Sequence, residues 1–330
     1  MEKIKLLLAE LDKVVIGYRN EKLKIVFALL ADGHVLLESV PGLAKTTLIA
    51  ALQVAISNST KNRIQMTPDL KPGDIVGTLV FNPKTGDFEI KTGPIIGINF
   101  LLADEINRAT PKAQSALLEA MQERKVTIAG TSFTLKDPFL VLATMNPIEQ
   151  EGTYPLPEAQ LDRFAMKVTL DYVSREDEIK ILQNTGVHGR NATDKVTPVI
   201  STDEIIALRQ DILGNVAVSR SAAEYIVDLV RTTRRGDPNF KKYLPAEIQA
   251  QVEMGASPRA EIWLQRLSQV KAYLSGRKFV TPEDVKWVAR DVMRHRILLT
   301  QEALADKSLS TDAVIAHALD KVPVIEPKSK

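Results

Sequence analysis

"SVPGLAKTT", Ser39 to Thr47, follows the apolar run "HVLLE" (34–38) and precedes the helical pattern "LIAALQVAI" (48–56). Strand, tight turn and helix in that order make a cradle for phosphate. Consecutive backbone N–H groups turn inward, a helix N-terminus stands behind them, and a lysine reaches the terminal phosphates. The usual spelling is G-x-x-x-x-G-K-[ST]. Here Ser39 and Ala44 stand at the two glycine positions, while Gly42, Lys45 and Thr46 keep their offsets and Pro41 stiffens the turn. A methyl at Ala44 is tolerated at negative φ and costs about 1 kcal/mol or more at positive φ. By spelling alone the stretch is either a phosphate loop or an ordinary strand–turn–helix.

Outward from it, short apolar runs alternate with helical patterns as far as about residue 172. The runs are 34–38, "RIQM" (63–66), "INFLLA" (98–103), "PFLVLATM" (138–145) and "MKVTL" (166–170). Several are apolar almost throughout, as expected of parallel strands covered on both faces. Helical patterns at 45–57, 111–124 and 157–164 fall between them. The order predicts an α/β domain with a mostly parallel sheet. Two segments interrupt it, each with alternating halves about a turn: 77–93 around "NPKTG" and 125–135 around "AGTS". Both read as β-hairpins. The start, "MEKIKLLLAELDK", reads as an amphipathic helix rather than a signal peptide.

After about residue 172 strand signals fade. Helical patterns follow at 175–185, 202–213, 219–234, 258–275 and 282–299, with starts at Ser201-Thr202 and Thr281-Pro282 supported by Glu204 and Asp284. The expected organisation is an α/β core over 1–172, a connecting segment over 173–200 whose "GVHGRNATDKVTP" (186–198) is exposed, and a smaller all-helical domain over 201–330 with an irregular tail. Trp263 and Trp287 are expected in its core. "RTTRRG" (231–236) with Lys241 and Lys242 reads as a solvated basic face.

Composition narrows the function. Lys plus Arg is 43 and Asp plus Glu is 41 among 330 residues, so the net charge of +2 gives no reason to expect nucleic acid or a membrane surface as partner. There is no cysteine, which excludes disulfides and thiolate metal sites, and the four histidines lack metal-ligand spacing. No apolar run approaches the roughly 18 residues that cross a bilayer. A cytoplasmic protein is the expectation.

Four further elements bear on the phosphate-loop question. "FLLADEINRAT" sets Asp104 and Glu105 directly after a buried strand. A carboxylate there can hold Mg²⁺ through its water shell with Thr46 as the other protein oxygen, and a second can take a proton from an attacking water. In "LVLATMNP", Asn146 follows the next strand, where a neutral amide could orient that water, although Asn before Pro147 is also ordinary turn chemistry. "PEAQLDRF" carries Arg163, either a functional cation or a surface partner of Asp162. In "GASPRAEIWL", Ser257 and Pro258 suit the N-cap and first turn, placing Arg259 where a cation opposes the helix dipole. A nearby anion would explain it.

"SVPGLAKT", "LLADEINRA", "ATMNP", "EAQLDRF" and "GASPRA", in this order and spacing, resemble the AAA+ ATPases of the MoxR family over nearly the whole chain. Such ATPases typically carry alanine where Ala44 stands, so the lost second glycine is a family trait, whereas Ser39 departs from the usual glycine. The resemblance implies an AAA+ P-loop domain with a helical lid, and ATP and Mg²⁺ as cofactors. Lys45 and Thr46 would be the Walker A pair, with Pro41, Gly42, Leu43, Ala44 and Thr47 around the phosphates. Asp104 and Glu105 would be the Walker B pair, with Thr46 and Asp104 the metal side. Asn146 would be sensor 1, Arg163 an arginine finger offered to a neighbouring subunit, and Arg259 sensor 2. "VVIGY" (14–18) would be the adenine side, with Val15 and Ile16 at the base. The segments 77–93 and 125–135 match the helix-2 insert and the hairpin before sensor 1. The implied assembly is a hexameric ring acting on client protein complexes, among them partners with a von Willebrand factor A domain. A nucleic-acid motor and a magnesium-chelatase-type subunit are the alternatives.

Overall fold

The computed structural model describes residues 1–40, 42–146, 152–185, 192–306 and 309–324. Two compact units divide the chain: 1–160 with 168–207, and 161–167 with 208–330.

The first unit is built on a sheet of β1 (Val35–Ser39), β2 (Lys61–Gln65), β3 (Phe100–Asp104), β4 (Leu140–Met145) and β5 (Met166–Leu170, of which residues 168–170 fall in this unit), in the order β5-β1-β4-β3-β2. The pairs β1–β4, β4–β3 and β3–β2 are parallel. Val35 to Leu37, Phe100 to Ala103 and Leu140 to Ala143 are fully buried, which is why these runs read as continuous rather than alternating apolar sequence. β2 is the edge strand and buries only Ile64 among its five residues. The flanking helices include α1 (Glu2–Asp12), α2 (Arg19–Leu30), α3 (Lys45–Ala55) and α4 (Pro111–Glu123). Helix α2 has no counterpart in the pattern expected from sequence. Ile25 through Ala31 are all buried, so no polar face marks a 3.6-residue period there.

Both expected hairpins form. Gly77–Asn82 pairs antiparallel with Asp87–Thr92, and Lys125–Ile128 with Thr131–Thr134. The second turns through Ala129 and Gly130 at φ 48° and 85°, the two positive angles that match the twist of the flanking strands.

The second unit packs Pro258–Leu274 against Pro282–Met293 and Arg220–Arg231. Thr281 and Asp284 form a reciprocal capping box. The Arg277 guanidinium grips Asp284 through two bonds of 2.7 and 2.6 Å. Three sequence expectations need correction. The pattern at 282–299 is not one helix: it stops at Met293, and Leu298–Leu299 pairs antiparallel with Val252–Met254. Trp263 and Trp287 are half-buried rather than core, with the cations of Arg266 and Lys271 at 5.5 and 5.3 Å from their ring centres. The basic cluster is partly structural, since Arg231 pairs with Asp237 at 2.7 Å and Arg234 with Glu261 at 2.8 Å. Of the connection expected at 186–198, residues 186–191 lie outside the described residues. Among the described residues no helix is long and apolar enough to cross a membrane.

Candidate nucleotide site

Strand β1 ends at Ser39, 2% exposed, whose Oγ accepts a hydrogen bond from Lys45 Nζ at 2.9 Å. Pro41 lies outside the described residues. Gly42 has φ 85°, and a Cβ there would meet no atom of the described residues within 4 Å. Backbone shape rather than space therefore requires the glycine. Ala44 takes φ 48° and ψ 18°, so this loop carries the left-handed cost of about 1 kcal/mol rather than avoiding it. Its carbonyl accepts the N–H of Leu48 at 2.9 Å and starts α3. Among the described residues no side chain caps that helix, so the first-turn N–H groups at Lys45, Thr46 and Thr47 have no partner of the usual intrahelical kind. Such a terminus suits an anion. Thr46 is exposed, and Leu43 and Thr47 are half-buried.

Strand β3 delivers the acids. Asp104 is 8% exposed. Its Oδ1 accepts the Thr144 hydroxyl at 2.6 Å and its Oδ2 accepts Arg63 at 2.7 Å. Burial pushes this carboxyl upward. Hydrogen bonds from Thr144 and Arg63, with the charges of Lys45 and Arg63, outweigh that and hold it below the usual carboxylate range. Glu105 follows in the left-handed region at φ 58°, its N–H donating to Thr144 Oγ1 at 2.9 Å. Its Oε2 accepts from Gln65 Nε2 at 2.7 Å and from Arg108 at 3.2 Å. A non-glycine residue held there by several bonds marks a position whose side-chain aim matters.

Register explains the convergence. Gln65 lies opposite Asp104, and Ala103 opposite Ala143, which sets Thr144 beside Asp104. Glu38 lies opposite Met145, so one step further brings Ser39 level with Asn146, itself 8% exposed. Ligand sites of open parallel sheets form at these carboxyl ends.

Hard oxygen donors and an ionised carboxylate at a helix N-terminus fit Mg²⁺ held largely by water and phosphate. Thr46 and Asp104 are the residues that would hold it.

Beside the loop a cavity of about 610 Å³ is lined by Ile16, Tyr18, Leu43, Ala44, Thr47 and Tyr172 among others. This mostly apolar slot suits a planar base. Val14 and Ile16 face it, whereas the Val15 side chain turns into the core at 2% exposure. Residues 14–18 turn tightly off the end of α1, with Gly17 and Tyr18 at φ 75° and 55°, and that turn sends the Val15 side chain to the core while Val14, Ile16 and Tyr18 line the cavity.

In the second unit, Ser257 caps its helix by accepting the Arg259 N–H at 3.1 Å. Arg259 Nη1 donates to Asp162 at 3.3 Å; the anion that explains a first-turn cation is this carboxylate. Asp162 is thus not a simple surface partner for Arg163. It is engaged by Arg259, by Ser257 at 2.8 Å and by Arg296 at 2.8 Å. Arg163 Nε is buried with no hydrogen-bond partner among the described residues.

Sequence reasoning missed Arg63, Gln65, Thr144 and Arg296. Thr144 had a signal, a lone hydroxyl in an otherwise apolar strand. Arg63 and Gln65 become visible only once β2 is known to lie beside β3.

Residues 34–166 match the family described as "ATPase family associated with various cellular activities (AAA)", and residues 245–318 match the AAA lid domain. The chain is 42% identical over 316 residues to the protein YeaC of Bacillus subtilis, covering 95% of this chain and 93% of that one. It is 42% identical over 313 residues to the chaperone MoxR1 of Mycobacterium tuberculosis, covering 95% and 80% respectively. The crystal structure of a Cytophaga hutchinsonii protein, described provisionally as an ATPase, superposes with a TM-score of 0.88 at 43% identity, covering 98% of this chain and 96% of that one.

Proposed function

The chain belongs to the MoxR family of AAA+ ATPases, and we propose that it binds ATP with Mg²⁺ beside α3, hydrolyses it, and uses the cycle to remodel, assemble or activate client protein complexes. The observation that carries this reading is geometric: Lys45, in the first turn of α3 after β1, and Asp104 and Glu105, at the end of β3, stand at the carboxyl ends of strands in one parallel sheet, with only β4 between them. In the proposed reaction Lys45 neutralises the β- and γ-phosphates. Mg²⁺, when bound, supplies charge to offset that building on the phosphoryl group. Asn146 orients the attacking water. Glu105 takes its proton while the water oxygen bonds to the γ-phosphorus and the bond to the ADP oxygen breaks. No arginine lies in 39–47 to steady the transferring group, and one supplied by a neighbour can be worth about 10³–10⁵ in rate. Arg163 is our candidate, with Arg259 as the arginine that couples the helical unit to nucleotide. Head-to-tail contacts of that kind close into rings, here a hexamer, and von Willebrand factor A proteins are candidate partners.

Calorimetric binding of a non-hydrolysable ATP analogue, with phosphate release measured in parallel, tests the assignment. Lys45→Ala should bind nothing measurable. Glu105→Gln should bind normally and turn over about 10²-fold more slowly or worse. Near-normal turnover by Glu105→Gln, or unchanged affinity in Lys45→Ala, refutes it.

A further inference from the structure

Segment 161–167 belongs structurally to the helical unit, and Arg296 makes more of the hydrogen bonds that fasten it there than Ser257, Arg259 or His295 does. Arg296 follows the end of the helix Pro282–Met293, and its side chain is 1% exposed. Its Nε donates to Asp162 Oδ1 at 2.8 Å, and its Nη2 donates to the carbonyls of Asp162, at 3.0 Å, and Phe164. Its Nη1 reaches the carbonyls of Ala165, at 3.4 Å, and Val292. The main chain is therefore gripped on both sides of Arg163 by one rigid guanidinium. A planar fork with five donors can do this, and the single ammonium of lysine cannot. Burying a cation so completely is costly. A helix ending at Met293 followed by a sharp turn is the geometry that brings it here.

We propose that Arg296 is a positioning residue for Arg163, holding the 161–167 segment so that the Arg163 guanidinium is presented to the active site of a neighbouring subunit. This rests on the reading of Arg163 as a residue acting in trans. Asp162 is the charge at the centre of the grip. It keeps Ser257 and Arg296 whether or not the more exposed Arg259 stays with it, so the segment remains held if Arg259 moves to nucleotide. The specific consequence is that Arg296 matters to the neighbour's site and not to its own subunit's.

That consequence separates positioning from plain structural support. Arg296→Lys keeps the charge and loses the fork. Alone, it should bind nucleotide within about twofold of wild type and turn over about 10–100-fold more slowly, the scale set by misplacing a reacting group by about 1 Å. Mixed with Lys45→Ala, whose subunits have intact Arg296 and Arg163, activity should partly return, because intact phosphate loops then face correctly held arginines. The paired change Arg296→Gln with Asp162→Asn removes both buried charges together and should behave in the same way if Arg296→Lys folds poorly. A parallel mixture of Arg163→Ala with Lys45→Ala, with mixed assembly verified, reports on the premise. Recovery there but none with either Arg296 variant overturns the positioning role. Recovery in neither overturns the trans reading itself, and this proposal with it. Impaired nucleotide binding by both Arg296 variants would place Arg296 in support of its own subunit, and also overturns it.

Discussion

Ser39→Ala should tighten nucleotide binding, although Ser39 stands where a phosphate loop has glycine. In the structure the Ser39 hydroxyl holds the Lys45 ammonium at 2.9 Å in a site 2% exposed. To serve the terminal phosphates Lys45 must leave that hydroxyl, so the bond opposes binding. A hydrogen bond to a charged group contributes about 1.5–3 kcal/mol. Lys45 itself is only half-buried, so water takes up much of the released ammonium, and about 1–1.4 kcal/mol remains. That is about five- to tenfold in Kd. Alanine rather than glycine is the informative replacement, because it removes only the oxygen and leaves the backbone of β1 unchanged. Titration calorimetry with a non-hydrolysable ATP analogue at fixed Mg²⁺ reads the effect directly. The double variant, Ser39→Ala with Lys45→Ala, should bind nothing measurable, like Lys45→Ala alone. Weaker binding by Ser39→Ala would mean the hydroxyl contacts the nucleotide itself, and would refute the argument.

Ala44→Gly relieves about 1–2 kcal/mol of left-handed strain against about 0.4–1 kcal/mol of added unfolded-chain entropy, so the thermal midpoint should rise by about 2 °C with affinity within a few-fold; a lower midpoint by calorimetry refutes it. Asp104→Asn should abolish most of the gain in nucleotide affinity that Mg²⁺ confers, about tenfold for one charge-assisted contact, while leaving Mg²⁺-free binding in place, as paired titrations with and without chelator would show. Burial, helped by the Arg296 charge, holds the His295 imidazole well below its ordinary value. The unfolded chain therefore takes up a proton near pH 6.5 that the folded chain refuses, and stability present above that pH is lost on going down toward the folded value, at up to about 1.4 kcal/mol per pH unit. Urea unfolding at pH 7.5 and 5.5 should show a larger loss in wild type than in His295→Gln; equal losses refute it.

Much was legible from the chain alone because its signals are local. Continuous apolar runs at 98–103 and 138–145 mark strands buried on both faces, and Gly42, Lys45 and Thr46 keep a spacing that only a strand–turn–helix exploits. The caps at Ser257 and Thr281 are written in neighbouring residues and fall where expected. Helix α2 was not legible, since burial on every side from Ile25 onward erases the period that sequence reading relies on. The φ of Ala44 was not legible either, because the same residue type is compatible with either sign. What the tertiary structure alone decided is which distant side chains meet. Arg63 and Gln65 reach the two acids because β2 lies against β3, and Asp162 is held by Arg296 because a chain turn after Met293 returns to a residue more than a hundred positions earlier, with Arg259 joining it from the start of another helix. Periodicity and capping are properties of a few consecutive residues, whereas strand register and the pairing of buried charges depend on how the whole chain closes its core.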